Sequence, residues 1–199
     1  MRLILSILFF FIFSCVRSQS ESISKTKYFD ITLAGVKIGE LKATRTVKDT
    51  TTIYLLDSNV HFWLILSVAL HHHIETVYRG KNLFSSISVS ESSNGTFTSS
   101  VIWKGGHYQT SVNSYKYKNS DSIYEPVECS IARFYFDEPV NIRKTLADAY
   151  GILAAVKKVK PGNYEVEGQG NINKYFYENG EFVRASIFSK VRYEVVARK

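Results

Sequence analysis

Lys27-Tyr28-Phe29-Asp30-Ile31-Thr32-Leu33 alternates along its whole length, with Phe29, Ile31 and Leu33 on one side of an extended chain and Tyr28, Asp30 and Thr32 on the other. Successive side chains of a strand point to opposite faces, so the stretch reads as an antiparallel strand with one packed and one wet face. The corner Ala34-Gly35 follows, and then Val36-Lys37-Ile38-Gly39-Glu40-Leu41 resumes the alternation. Gly39 interrupts that second strand at a point where a curved sheet needs a bulge or a sharp bend.

The same texture extends over most of the chain. Short runs rich in Thr, Ser, Tyr, Phe, Val and Ile are separated by turn signals, of which Asn94-Gly95 and Asn179-Gly180 are the strongest, because both central residues of a two-residue type I′ turn need positive φ. Gly105-Gly106, Arg79-Gly80 and Pro161-Gly162-Asn163 mark further corners. The predicted strands are Lys27 to Leu33, Val36 to Thr46, Thr51 to Val60, Leu64 to Tyr78, Leu83 to Ser92, Thr96 to Trp103, Tyr108 to Lys116, Asn163 to Gln169, Asn171 to Tyr177 and Glu181 to Ala197. Phe62 to Leu70 is apolar on both sides and reads as a strand or bend in the densest part of the core. The segment 142–158 is rich in Leu and Ala but broken by Gly151, and is predicted as at most one short helix. No long helical period exists, so the class is all-β; a sandwich, a closed barrel and a curved half-barrel all satisfy this pattern.

The N-terminus reads as a secretory leader. Arg2 precedes an apolar run from Leu3 to Phe13 and a small-residue exit at Ser14-Cys15-Val16-Arg17-Ser18, too short a run for a permanent membrane span. Residues 1–18 are therefore predicted to be a signal peptide and 19–199 a single β domain. Val16 and Ser18 suit an ordinary cleavage before Gln19. Ile12-Phe13-Ser14-Cys15 instead resembles a lipoprotein box, in which Cys15 would be acylated and would hold the domain peripherally on a membrane.

The full chain has 199 residues and a net charge of +7; without Arg2 and Arg17 the balance falls to +5. Basic residues are interleaved with acids and never form a long run, which argues against a nucleic-acid partner. Beyond the leader Cys129 stands alone, so packing rather than an internal disulfide must hold the domain. Val127-Glu128-Cys129-Ser130-Ile131-Ala132 alternates, and Cys129 reads as a small buried residue on a strand.

Candidate chemistry is sparse. In His71-His72-His73-Ile74-Glu75 the strand period brings His71, His73 and Glu75 to one face, where two imidazoles and a carboxylate can hold Zn²⁺. The competing reading puts His72 toward the core and leaves the other three solvated, and it is preferred because no further Cys or His cluster accompanies the motif. Asp137 and Glu138 in Phe136-Asp137-Glu138-Pro139 are neighbours that point apart, which disfavours a shared acid/base role. No nucleophile elbow, P-loop or dinucleotide fingerprint occurs, and nothing calls for a cofactor. No catalytic residue is assigned, and the chain is expected not to be an enzyme. Trp63 and Trp103, with Phe62 and Phe97, are the residues expected to line an apolar ligand cleft.

Four segments carry a family resemblance: Ala34 to Leu41, His73 to Leu83, Phe134 to Pro139 and Tyr175 to Phe182. Together they resemble an uncharacterised family of exported bacterial β-rich proteins, with the Phe-x-Glu-Pro and Gly-x-x-Ile-Gly elements its most specific parts. More distantly the pattern is similar to periplasmic lipoprotein carriers. That resemblance implies one long, curved antiparallel sheet forming an open or half barrel, in the periplasm or cell envelope, and it implies no reaction. The functional expectation is a non-enzymatic envelope protein that binds an apolar small molecule in its concavity. A protein-interaction module of the envelope is the first alternative, and a hydrolase resting on unassigned polar residues is the second.

Overall fold

The computed structural model describes residues 21–63, 67–93, 95–114, 117–188 and 191–198; the segment predicted as a leader, with Cys15, lies outside these. The first run of strands is β1 (Ile23–Leu33), β2 (Val36–Lys48), β3 (Thr51–Trp63), β4 (Ser67–Arg79), β5 (Asn82–Ser92), β6 (Gly95–Trp103), β7 (Tyr108–Ser114) and β8 (Tyr117–Ile123). A connecting segment holding the one-turn helix α1 (Ile131–Phe134) leads to β9 (Lys144–Ala147), β10 (Ile152–Lys160), β11 (Asn163–Gly168), β12 (Asn171–Glu178), β13 (Glu181–Phe188) and β14 (Arg192–Ala197).

All fourteen strands form one antiparallel sheet. Each pairs with its successor in the chain from β1 to β8 and from β9 to β14, and the two meanders join where β14 pairs with β1 through Phe29–Ala197 and Ile31–Val195. The edges, β8 and β9, do not pair with one another, so the sheet curls into an open barrel. Two-residue turns set the register at several corners: Ala34 and Gly35 have φ of 49° and 81°, and Asn179 and Gly180 have 52° and 80°, the left-handed pairs of type I′ turns.

Curvature enters where the ladder slips by a residue. Ile31 faces Gly39 while Thr32 faces Lys37, which leaves Ile38 as the extra residue of a bulge beside Gly39, as the sequence led us to expect. Further slips occur at Val77/Tyr78 in β4, at Lys158/Lys160 in β10 and at Phe176/Tyr177 in β12. At Gly39 a Cβ would collide with the Asn59 carbonyl and the Val60 Cα of β3, so the bulge closes on a neighbouring backbone that only glycine admits.

The concave face is filled at one end by residues 127–139, which cross it as a plug. Ala132, Phe134, Tyr135, Phe136 and Pro139 are buried there. Phe134 meets Tyr175 edge-on at 4.9 Å between ring centroids, Tyr135 sits 5.2 Å from Phe29, and Phe136 lies 5.7 Å from Tyr54. The tyrosine hydroxyls of the sheet then grip the plug. Tyr177 donates to the Phe134 carbonyl at 2.8 Å, Tyr164 to Glu138 at 2.6 Å and Tyr54 to Asp137 at 3.3 Å. Buried tyrosine combines a large apolar body with a donor that must find a partner, so these residues give both packing and registration. Arg45 completes the closed end by pairing with Asp137 at 2.9 Å.

Three expectations are corrected. The segment 142–158 holds no helix: Lys144–Ala147 and Ile152–Lys160 form a hairpin, because partners in β11 and in the 129–130 segment overrule the helix-forming tendency of Leu and Ala. Glu181 to Ala197 is two strands rather than one. The run Phe62–Leu70 is not the densest core, since it spans the end of β3 and the start of β4, with His61 and Ala69 exposed; residues 64–66 lie outside the described residues.

Candidate functional site

At the end of the concavity away from the plug's Phe136 to Pro139, where β1 turns into β2 and β11 into β12, the sheet encloses a cavity of about 280 Å³. Its wall follows from strand alternation: Leu41, Leu56, Ile74, Val166 and Val195 are inward residues of five strands, and Tyr175 faces them from a sixth. Ile131 and Tyr135, at and just after α1, form its floor. Besides four tyrosines, the polar members of the wall are Ser58, His72, Ser90, Asn173 and Asp148, and neither Lys nor Arg lines it among the described residues.

His72 points inward from β4, as do Ile74 and Thr76, and bonds Ser88 of β5 at 2.9 Å through Nε2. Burial pushes its pKa down to about 4, with the nearby imidazoles of His73 and His71 adding to the effect, so the ring is neutral at physiological pH. Ser88 itself does not line the cavity.

Asp148 opens the turn between β9 and β10 and is only 2% exposed. The turn is pressed against the inner faces of β6 and β7: at Gly151, whose φ is +62°, a Cβ would come within 2.9 Å of Val112 Cγ2 and 3.1 Å of Ser99 Oγ. This places the Asp148 carboxyl inside, where Ser86 donates to Oδ1 at 2.6 Å, Thr76 to Oδ1 at 3.2 Å and the Ala132 backbone N–H to Oδ2 at 3.3 Å. The carboxyl therefore ties β4 and β5 to the first turn of α1, whose own Ser130 makes no capping bond. No cation pairs with it among the described residues. Burial raises its pKa to about 6 against the opposing pull of the Ser86, Ala132 and Thr76 donors, leaving it ionised but easily protonated.

The residues singled out in the sequence are distributed differently. Trp63 ends β3, near the cavity's rim, but its side chain and that of Phe62 lie outside the description. Trp103 ends β6 near the opposite end of the sheet, eight residues beyond Gly95 and so on the order of 25 Å further along the strand. It is 39% exposed, and its ring packs 4.9 Å from Tyr108. The two tryptophans thus do not share one cleft. Phe97 is half-buried opposite Ser90, next to the cavity without lining it. Leu70 of the apolar run does reach the wall.

His71, His73 and Glu75 lie on the outer face, as strand parity requires. Both imidazoles turn to Asp57 of β3, at 3.2 Å and 3.3 Å, rather than to Glu75, which stays exposed. Among the described residues no group of three or more His, Cys, Asp or Glu is arranged to hold a metal ion. Cys129 is buried as expected, but in irregular chain leading to α1 rather than on a strand; burial pushes its thiol up to about 11. Asp137 and Glu138 engage Arg45 and Tyr164 respectively, in keeping with neighbours that point apart.

Sequence reading missed Asp148, which sits in a stretch dominated by Leu and Ala. The available signal was an acid and a glycine, Asp148 and Gly151, framing the break between two apolar runs.

No curated protein matches the chain. Among solved structures it is similar to the crystal structure of a β-barrel-like protein of domain of unknown function DUF1849 from Brucella abortus, with 9% identity, a TM-score of 0.53, and coverage of 90% of this chain and 98% of that one. At that identity the likeness concerns the fold alone, and it agrees with the open, curled sheet described above. A family model described as Domain of unknown function (DUF6134) matches residues 29–198, a span from the Phe29 pairing in β1 to the end of the sheet. With nearly the whole β domain inside that match, the chain belongs to the DUF6134 family of unknown function.

Proposed function

We propose that this chain is a non-enzymatic binding protein of the cell envelope that holds an apolar small molecule in its concavity. The observation that carries the reading is the 280 Å³ cavity, walled by inward strand residues and left open in a sheet that the plug fills only at the other end. Its size lies just below the usual range of about 300–1,000 Å³ for small-molecule sites, which are mostly apolar with a few placed polar groups. The N-terminal leader supports export, with the mature chain soluble from Gln19 or tethered through Cys15. A hydrolase finds little support: the Ser88–His72 pair has no carboxylate partner for the imidazole among the described hydrogen bonds, and a histidine with a pKa near 4 is a weak base.

The test is the fluorescence of N-phenyl-1-naphthylamine, an uncharged apolar probe, titrated with the purified chain. Saturable enhancement at one probe per chain is expected. Ile187→Trp and Leu70→Trp, two half-buried wall positions, should weaken it by roughly tenfold or more while leaving the circular dichroism of the sheet unchanged. Absence of saturable binding by the wild type would refute the reading.

A further inference from the structure

Among the described residues the cavity wall carries a single formal charge, and it is negative. Among the described residues Asp148 is its one acid, His72 is held neutral by burial, and no Lys or Arg contributes to the lining. Three of the four tyrosines in the lining, Tyr135, Tyr175 and Tyr193, are pushed upward by burial and stay protonated. The partners of Asp148 are neutral donors, and Oδ2 receives one long bond of 3.3 Å, so among the described residues the buried charge has no counter-ion. Asp148 is itself buried, and a fixed charge in such surroundings acts on a neighbouring one more strongly than it would in bulk solvent.

Building on the carrier reading, we propose that the ligand is a single-chain amphiphile whose polar end is cationic or a neutral hydrogen-bond donor, and that anionic amphiphiles are excluded. An ammonium head would supply the countercharge that Asp148 lacks. A hydroxyl or amide head could donate to Asp148, Asn173 or the serines at no electrostatic cost. A carboxylate or phosphate would meet an uncompensated like charge with no basic side chain to offset it, which costs affinity. The net charge, +5 without Arg2 and Arg17, works in the opposite sense and would draw anions to the surface. A preference for the cation must therefore arise in the cavity.

Decylamine, decanol and decanoate share a chain and differ in the head, so their displacement of bound N-phenyl-1-naphthylamine near neutral pH isolates the effect. The expected order is decylamine, decanol, decanoate, with the amine at least about tenfold tighter than the acid. In Asp148→Asn the ratio should collapse toward one. Should that variant not fold, Ser90→Lys places a cation on the half-buried part of the wall, offsets Asp148 and should likewise bring the ratio toward one. If Asp148 only braces α1, its replacement would lower stability without changing the ratio. Equal affinities for amine and acid, or preference for decanoate in the wild type, would overturn the inference while sparing the carrier reading. Failure of the probe to bind at all would instead overturn the carrier reading.

Discussion

At the scale of single residues, two buried titratable groups on one cavity wall pull stability in opposite directions. Asp148 has a folded pKa of about 6 against 3.8 for the free group, so the fold takes up its proton more readily than the unfolded chain does. Its carboxylate costs about 3 kcal/mol at neutral pH, a cost relieved as pH falls through 6 toward 4. His72 is the reverse, about 4 against 6.5: its contribution is intact above pH 6.5 and about 3 kcal/mol is lost as pH falls toward 4. The two slopes nearly cancel in the wild type. Urea unfolding at neutral pH and near pH 4 should therefore show Asp148→Asn losing stability on acidification relative to wild type, and His72→Gln gaining relative to wild type. Equal pH slopes in the two variants would mean that burial shifts neither group. Strand parity alone placed His72 inward and His71, His73 and Glu75 outward, whereas Asp57 and Asp148 were invisible because each acts across a strand pairing or a turn that only the folded chain creates.

At the scale of elements, alternation exposed β1 to β7 and β11 to β13 because those strands each have one apolar and one polar side. β8 escaped notice: Tyr117-Lys118-Asn119-Ser120-Asp121-Ser122-Ile123 is polar almost throughout, as suits an edge strand that must not recruit further chains. β10 was obscured by Ala and Lys, residues that favour helix until neighbouring strands dictate otherwise. The plug was legible only as a motif, since its role depends on tyrosines contributed by β3, β11 and β12. Gly39 is the element-level feature read correctly from sequence, and its substitution is informative. Gly39→Ala forces a Cβ against the Asn59 carbonyl and the Val60 Cα, and should cost about 2 kcal/mol in chemical denaturation, as overpacking against backbone does. A change within experimental error would show that the bulge does not press on β3 as described.

At the scale of the whole molecule, fourteen strands make a sheet whose edges stay apart, closed at one end by residues 127–139 and hollow at the other. A second cleft of about 290 Å³, with Thr110, Asp121 and Gly151 in its lining, marks the seam between β7–β8 and the β9–β10 hairpin. The tryptophans flagged in the sequence do not form a common site because they end strands at opposite ends of the sheet, and only Trp63 lies near the hollow walled by Leu41, Leu56 and Ile74. A chain without a catalytic motif still has a site worth testing, because an apolar hollow with one buried charge needs no motif, only inward-facing residues on many strands. The most direct test of the account is native mass spectrometry of the chain purified from its own host, read before and after denaturation. The account predicts one apolar molecule per chain, released on unfolding and absent from Ile187→Trp. A wild-type chain that is empty from its host and takes up no apolar probe would contradict it.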